Sequence, residues 1–284
     1  MKVTIFPGQG SQHKGMGGEY FDLYPERVAI SDELLGYSVK DKCLYDREKQ
    51  LSLTQYTQPL LYIVNSLSHL HHESRHATRA NYFVGHSLGE YNALLASDVF
   101  DFEVGLKIIK KRGELMAGAS GGGMAAVINI EVKKLQGMLI DSKLDSIDIA
   151  NFNSPQQTVI SGPSDDLKLA KQLFKDLGEG MFVDLPASAP FHSRYMQDCA
   201  TEFSDYLMQF SFRDPKVPVL SNVTAQPHRK EHFVELLTKQ LYSPVRWTDT
   251  IINLIRIKAN DFTELGPGQV LSKLVRQIIS TETL

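Results

Sequence analysis

A short apolar run, Tyr82 to Val84, enters Gly85-His86-Ser87-Leu88-Gly89 and leaves through the helix-like Tyr91-Asn92-Ala93-Leu94-Leu95-Ala96. No other stretch restricts the fold as much. A serine held on a sharp turn between a buried strand and a helix is a nucleophile elbow of α/β architecture. The flanking glycines are needed because the backbone bends tightly and neighbouring elements approach it closely. A plain Gly-Ser loop is the competing reading, since five-residue patterns recur by chance; the strand before and the helix after favour the elbow. Ser87 is the candidate nucleophile.

The chain has 284 residues, enough for a large core and one to two domains. With 42% apolar and 22% charged residues it has the composition of an ordinary globular protein, and its net charge of -3 argues against general nucleic-acid binding. Cys43 and Cys199 form no C-x-x-C and no metal-ligand spacing, which fits a reducing compartment without structural disulfides. The N-terminus enters a strand at once, and no apolar run of signal-peptide or membrane-spanning length is present. The cytoplasm is the expected location.

Lys2 to Phe6 reads as a buried strand followed by the glycine-rich Pro7-Gly8-Gln9-Gly10-Ser11-Gln12-His13-Lys14-Gly15-Met16-Gly17. A phosphate cradle does not fit. A dinucleotide loop wants a glycine where His13 stands, and a P-loop wants Lys and Ser/Thr where Met16 and Gly17 stand. A structural turn, or backbone N–H groups aimed at a developing oxyanion, remain. Leu53 to Leu60 opens a helix with Pro59 in its first turn, continuing to Leu70. His69, His71, His72 and His76 at its end read as a solvated helix end rather than a metal cluster, because the segment lacks an apolar face.

Between Asp101 and Met116, Val104, Ile108, Arg112, Leu115 and Met116 share one helical face, while Lys107, Lys110 and Lys111 fall elsewhere. An arginine in an inward stripe needs a partner. Either a protein carboxylate meets Arg112, the commoner arrangement, or the position is kept for an anionic ligand, for which its planar fork is suited. Gly121-Gly122-Gly123 then reads as a hinge. From Met124 the order is strand (125–130), helix (131–140), strand (147–152), strand (158–161), helix (165–177), strand (180–185), with Asn153-Ser154-Pro155 turning the central hairpin. That βαββαβ order is ferredoxin-like. It divides the chain into residues 1–123 with 187–284, and an inserted unit at 124–186.

A serine hydroxyl needs a base of near-neutral pKa, most often histidine. His192 lies in a tight Pro/Ser/Ala turn before a helix (193–207), whereas His86 belongs to the elbow and His228 and His232 lie in a polar stretch. His192 is the best base by elimination. Further on, 218–224 reads as a buried strand, 231–241 and 251–257 as helices, and 262–265 as a last strand before Gly266-Pro267-Gly268 and a C-terminal helix. No acidic third member is identifiable. Asp184 falls in the right sequence interval but within the small unit.

Taken together, Phe6-Pro7-Gly8-Gln9-Gly10-Ser11-Gln12, Thr57-Gln58-Pro59, Gly85-His86-Ser87-Leu88-Gly89-Glu90, Arg112-Gly113-Glu114-Leu115-Met116, Phe191-His192-Ser193, Ser221-Asn222-Val223 and Glu264-Leu265-Gly266-Pro267-Gly268 resemble the malonyl-CoA:acyl carrier protein transacylases over nearly the whole chain. Leu35-Gly36-Tyr37-Ser38 and the stretch from Ala189 to Met196 resemble more closely the free-standing acyltransferases of trans-acyltransferase polyketide synthases. The resemblance implies an α/β-hydrolase-like core with a parallel sheet plus the inserted ferredoxin-like subdomain, the site lying between them. It implies Ser87 as nucleophile, His192 as base held by the main-chain carbonyl of Gln240, and the N–H groups of Gln9 and Leu88 as oxyanion hole. Arg112 would take the malonyl carboxylate. Phe191, by its size, would exclude an α-methyl, and Met116 and Asn153 complete the implied substrate contacts. Malonyl-CoA and an acyl carrier protein are the implied partners. No cofactor of the chain's own is implied, because phosphopantetheine arrives on the carrier. A monomer is expected, with neither nucleic acid nor membrane as partner. A fatty-acid-synthesis transacylase and a proofreading acyl hydrolase of the same fold are the alternatives within this likeness, and a non-catalytic carrier-docking module the one outside it.

Overall fold

The computed structural model describes residues 1–76 and 79–282. Lys2–Phe6 forms β1, rich in β-branched and aromatic side chains and buried after Lys2. Pro25–Leu35 (α1) and Val39–Tyr45 (α2) follow, then Thr54–Arg75 (α3), Tyr82–Gly85 (β2), Gly89–Ala96 (α4) and Phe102–Gly118 (α5). Gly122–Ile128 (β3), Val132–Asp141 (α6), Asp148–Ser154 (β4), Gln157–Pro163 (β5), Ser164–Leu177 (α7) and Met181–Leu185 (β6) come next. Gln197–Leu207 (α8), Phe233–Lys239 (α9), Trp247–Arg256 (α10), Asp261–Glu264 (β7) and Val270–Glu282 (α11) complete the order.

This is an α/β fold with two sheets. The first is parallel, in the order β2-β1-β7, with Thr4 opposite Phe83 and Thr263. Side chains alternate across it. Val3, Ile5 and Val84 pack on α10 and α11, while Phe6 and Phe83 join the larger core that includes residues of α3, α4 and α5. Because all three strands run the same way, the Pro7 loop, the Ser87 elbow and the Gly266 turn leave from one edge of the sheet. Ligands of open parallel sheets bind at that carboxyl edge. The second sheet is antiparallel, in the order β4-β5-β3-β6, and its connectivity is the predicted βαββαβ. Backbone hydrogen bonds join its edge strand to the main body: Phe152 N–H donates to Val245 O at 2.9 Å, and Val245 N–H to Ala150 O at 2.9 Å.

Several details differ from the sequence reading. The helices α1 and α2 carry no strong motif and were not foreseen. Since α3 begins at Thr54, Pro59 stands in its second turn rather than its first. His69 is buried, edge-on to Phe6 and Phe83, rather than solvated. Within 218–224 only Val219, Leu220, Ser221 and Asn222 are buried, and the segment forms no extended strand: Val219 makes one parallel bridge to Phe83, and Ser221 to Gln226 close a turn in which Ala225 adopts φ 55°. The β4–β5 hairpin turns at Pro155-Gln156, leaving Asn153 and Ser154 inside β4. His228, assigned to a polar stretch, is buried.

Candidate active site

Ser87 sits between β2 and α4 with φ 51°, a left-handed conformation that a serine holds only when its surroundings enforce it. They do so by close packing. A Cβ at Gly89 would lie 2.0 Å from the carbonyl oxygen of Phe6, and one at Gly8 would lie 2.4 Å from that of His86. The elbow is therefore wedged directly against the end of β1. Asn222 staples it from the other side, its Oδ1 accepting from Ser87 N–H at 2.6 Å and its Nδ2 donating to Gly85 O at 2.7 Å.

His192, 105 positions later, also has positive φ (59°). Its ring bridges two partners. Nδ1 lies 2.7 Å from the carbonyl of Gln240, and Nε2 lies 2.8 Å from Ser87 Oγ. A carbonyl only accepts, so Nδ1 carries the proton and Nε2 is free to accept from the hydroxyl. Burial, reinforced by the Arg112 cation, pushes the His192 pKa down to about 3. The imidazole is thus held neutral. Asp184 takes no part; from the largely exposed β6 it pairs with Lys171 of α7.

Arg112 enters from α5 and is 1% exposed. Nη1 donates to Gln58 Oε1 at 2.7 Å, while Nη2 donates to Gln240 Oε1 at 2.9 Å and to Ser87 Oγ at 3.2 Å. The Tyr91 ring lies 5.5 Å from its Cζ. Burial lowers its pKa. Among the described residues no carboxylate pairs with this guanidinium, so the internal ion pair weighed from sequence does not exist. Its partners are neutral oxygens, an arrangement that leaves the cation able to meet a further anion.

A cavity of about 260 Å³ opens above these groups. Gln9, Leu88, Met116, Asn153 and Phe191 all line it, together with Ser87, His192 and Arg112. Gln240 is wholly buried behind them. Asn153 is engaged with His86, whose Nε2 lies 2.9 Å from its Oδ1, and the Gln9 side chain donates to Thr54 Oγ1 at 3.3 Å. Among the described residues, neither the Gln9 nor the Leu88 backbone N–H has a protein acceptor. Val270, Leu271 and Leu274 of α11 form an apolar part of the wall that the sequence reading missed. It also gave no role to Gln58, Glu90 or Asn222. Polar residues within apolar runs were the available signal at Gln58 and Glu90; Asn222 stood in the Ser221-Asn222-Val223 motif with no role attached to it.

A serine with a neutral imidazole base, two free backbone donors and a buried cation beside the hydroxyl defines an acyl-transfer site. Residues 3–282 match the acyl transferase domain family, and the chain belongs to it. It is 45% identical, over 98% of its length and 97% of the relative's, to the polyketide biosynthesis malonyl CoA-acyl carrier protein transacylase PksC of Bacillus subtilis. It is 44% identical to the polyketide biosynthesis protein ThaF of Burkholderia thailandensis, of which it spans 24%. The crystal structure of a malonyl CoA-acyl carrier protein transacylase from Burkholderia pseudomallei superposes with a TM-score of 0.96 at 41% identity, covering 99% of this chain and 98% of that one.

Proposed function

We propose that this protein is a malonyl-CoA:acyl carrier protein transacylase serving polyketide biosynthesis. The observation that carries the reading is the shared position of Ser87 Oγ, 2.8 Å from a neutral imidazole nitrogen and 3.2 Å from the nitrogen of a buried arginine that has no carboxylate partner among the described residues. His192 Nε2 takes the hydroxyl proton as Ser87 Oγ attacks the malonyl thioester carbonyl. The Gln9 and Leu88 N–H groups receive the oxyanion, for which loss of one donor costs about 3 kcal/mol of barrier. Coenzyme A leaves as its thiol, accepting the proton from His192. The pantetheine thiol of a carrier protein then gives its proton to His192, attacks the malonyl-serine ester, and releases Ser87 with its proton restored.

Arg112 selects for a free carboxylate, since an acetyl group would leave the guanidinium without an anion in a dry site. Phe191 fills the space an α-methyl would need. We read the parallel-sheet body, residues 1–123 and 187–284, as α/β-hydrolase-like, and residues 124–186 as a ferredoxin-like insertion whose inner face closes the cavity. The chain brings no cofactor, the reactive arm being the carrier's own. The polyketide assignment rests on the relatives named above together with the Phe191-His192-Ser193-Arg194 segment.

Transfer from a panel of acyl-CoAs to a phosphopantetheinylated carrier protein, with release to water measured in parallel, tests the proposal. Malonyl transfer well above acetyl and methylmalonyl transfer, and above hydrolysis, is expected. Hydrolysis outrunning transfer would make the enzyme a proofreading hydrolase, and inertness toward all acyl-CoAs would reduce it to a docking module.

A further inference from the structure

Two buried ionisable side chains play no part in that exchange. Glu90 and His228, both fully shielded from solvent, meet with Glu90 Oε1 2.5 Å from His228 Nε2. A carboxylate in a dry interior requires a partner for each oxygen. The second oxygen, Oε2, accepts from Gln240 Nε2 at 2.5 Å and from the Asn222 backbone N–H at 3.2 Å.

Gln240 is the node on which the site depends. Its main-chain carbonyl holds His192, its Nε2 also donates to Ser87 O at 3.0 Å, and its Oε1 accepts from Arg112. An amide keeps its shape when turned end for end but exchanges donor and acceptor. A carboxylate only accepts, so Glu90 compels the Gln240 NH2 to face inward and leaves Oε1 for the guanidinium. The reversed amide would set oxygen against carboxylate and NH2 against guanidinium. His228 secures the arrangement from behind. Its Nε2–H occupies Oε1, its Nδ1 has no partner among the described residues, and its ring lies 5.1 Å from that of Phe233.

We infer that Glu90 and His228 form a positioning pair that fixes the sense of the Gln240 amide and thereby aims Arg112 at the acyl group on Ser87. Neither side chain lines the cavity; both act through Gln240. The same carboxylate holds Asn222, whose side chain staples the elbow, so one buried group sets both nucleophile and cation. The inference rests on the malonyl-transfer reading, because the aim of Arg112 matters only for an acyl group carrying a carboxylate.

The test is the ratio of malonyl to acetyl loaded on Ser87 from an equimolar mixture of the two coenzyme A thioesters. It is read by intact-protein mass spectrometry on full-length enzyme well below its unfolding temperature. Replacing a hydrogen-bonded charge partner predicts that Glu90→Gln, which permits either amide sense, lowers this ratio about tenfold and His228→Leu, which only withdraws the support of Glu90, about threefold. The loss should appear as a raised KM for malonyl-CoA, with acetyl loading falling less than malonyl loading. His228→Gln, which keeps an N–H directed at Glu90, should restore most of the ratio. A purely structural role would lower thermal stability without moving the ratio, and an unchanged ratio in folded variants overturns the inference. Should His228→Leu fail to fold, the near-isosteric Glu90→Gln carries the test. Wild-type enzyme loading both acyl groups equally removes the transfer reading and this inference together, whereas a wild-type preference retained in the variants removes this inference alone.

Discussion

Arg112 presents its terminal nitrogens to neutral oxygens, and its Nε is buried without a hydrogen-bond partner among the described residues. A guanidinium so placed is short of a counter-charge, and a bound carboxylate supplies one through a paired hydrogen-bond geometry. Arg112→Ala is expected to lower malonyl loading about a hundredfold, as loss of a charged double hydrogen bond implies. Acetyl loading should change far less; competitive loading measures both. At His192 the sign of the pH dependence follows from its lowered pKa. The unfolded imidazole binds a proton below its ordinary value near 6.5, whereas the folded one resists until about 3. Its contribution to stability is therefore complete above about pH 6.5 and lost as pH falls toward the folded value. The same shift places the acid limb of Ser87 acylation below pH 6.5. Reaction with a neutral serine-directed reagent across pH should show a plateau extending below that value, and a midpoint at or above 6.5 would contradict the assignment.

The elbow is an element-scale device, since its strain is held by three neighbours rather than by its own sequence. Gly89→Ala would force a methyl against the backbone of β1, which cannot move as a side chain tip can. A destabilisation of at least about 3 kcal/mol, the upper part of the overpacking range, is expected in urea unfolding. Much at this scale was legible in the chain. The strand entering Gly85, the amphipathic face carrying Arg112 and the six elements from 122 to 185 rest on local periodicity, which a sequence displays directly. What was hidden depends on distant partners. Gln58, Glu90 and Asn222 acquire their roles only when α3, α4 and the 218–224 segment meet, and His228 looked solvated because its own neighbours in the chain are polar. Residues 218–224 read as a strand by composition, yet the Ser221–Gln226 turn claims their backbone groups.

At the scale of the molecule, the site is assembled from segments of the main body and walled by the antiparallel sheet. The nucleophile rides on β2, the base on the segment after β6, the cation on α5, and the apolar wall partly on α11. The only tryptophan, Trp247, is buried beneath the elbow with its ring 5.7 Å from that of His86. Its fluorescence therefore reports the same packing that holds Ser87. Activity and blue-shifted Trp247 emission are expected to disappear at the same urea concentration, as for one cooperative unit. Loss of activity well before the emission change would mean that the antiparallel sheet opens on its own. By contrast, the exposed Arg194–Asp148 pair, which ties the His192 segment to β4, should contribute less than about 1 kcal/mol to the same transition.

Intact-mass measurement of the enzyme after brief exposure to equimolar malonyl-CoA and acetyl-CoA, with the modified peptide sequenced, is the most direct examination of a serine, a neutral imidazole and a carboxylate-seeking arginine acting on one acyl group. A single malonyl adduct on Ser87, discharged when a phosphopantetheinylated carrier protein is added and absent from Ser87→Ala, is the expected result. An adduct on another residue, or acetyl loading equal to malonyl, would contradict it.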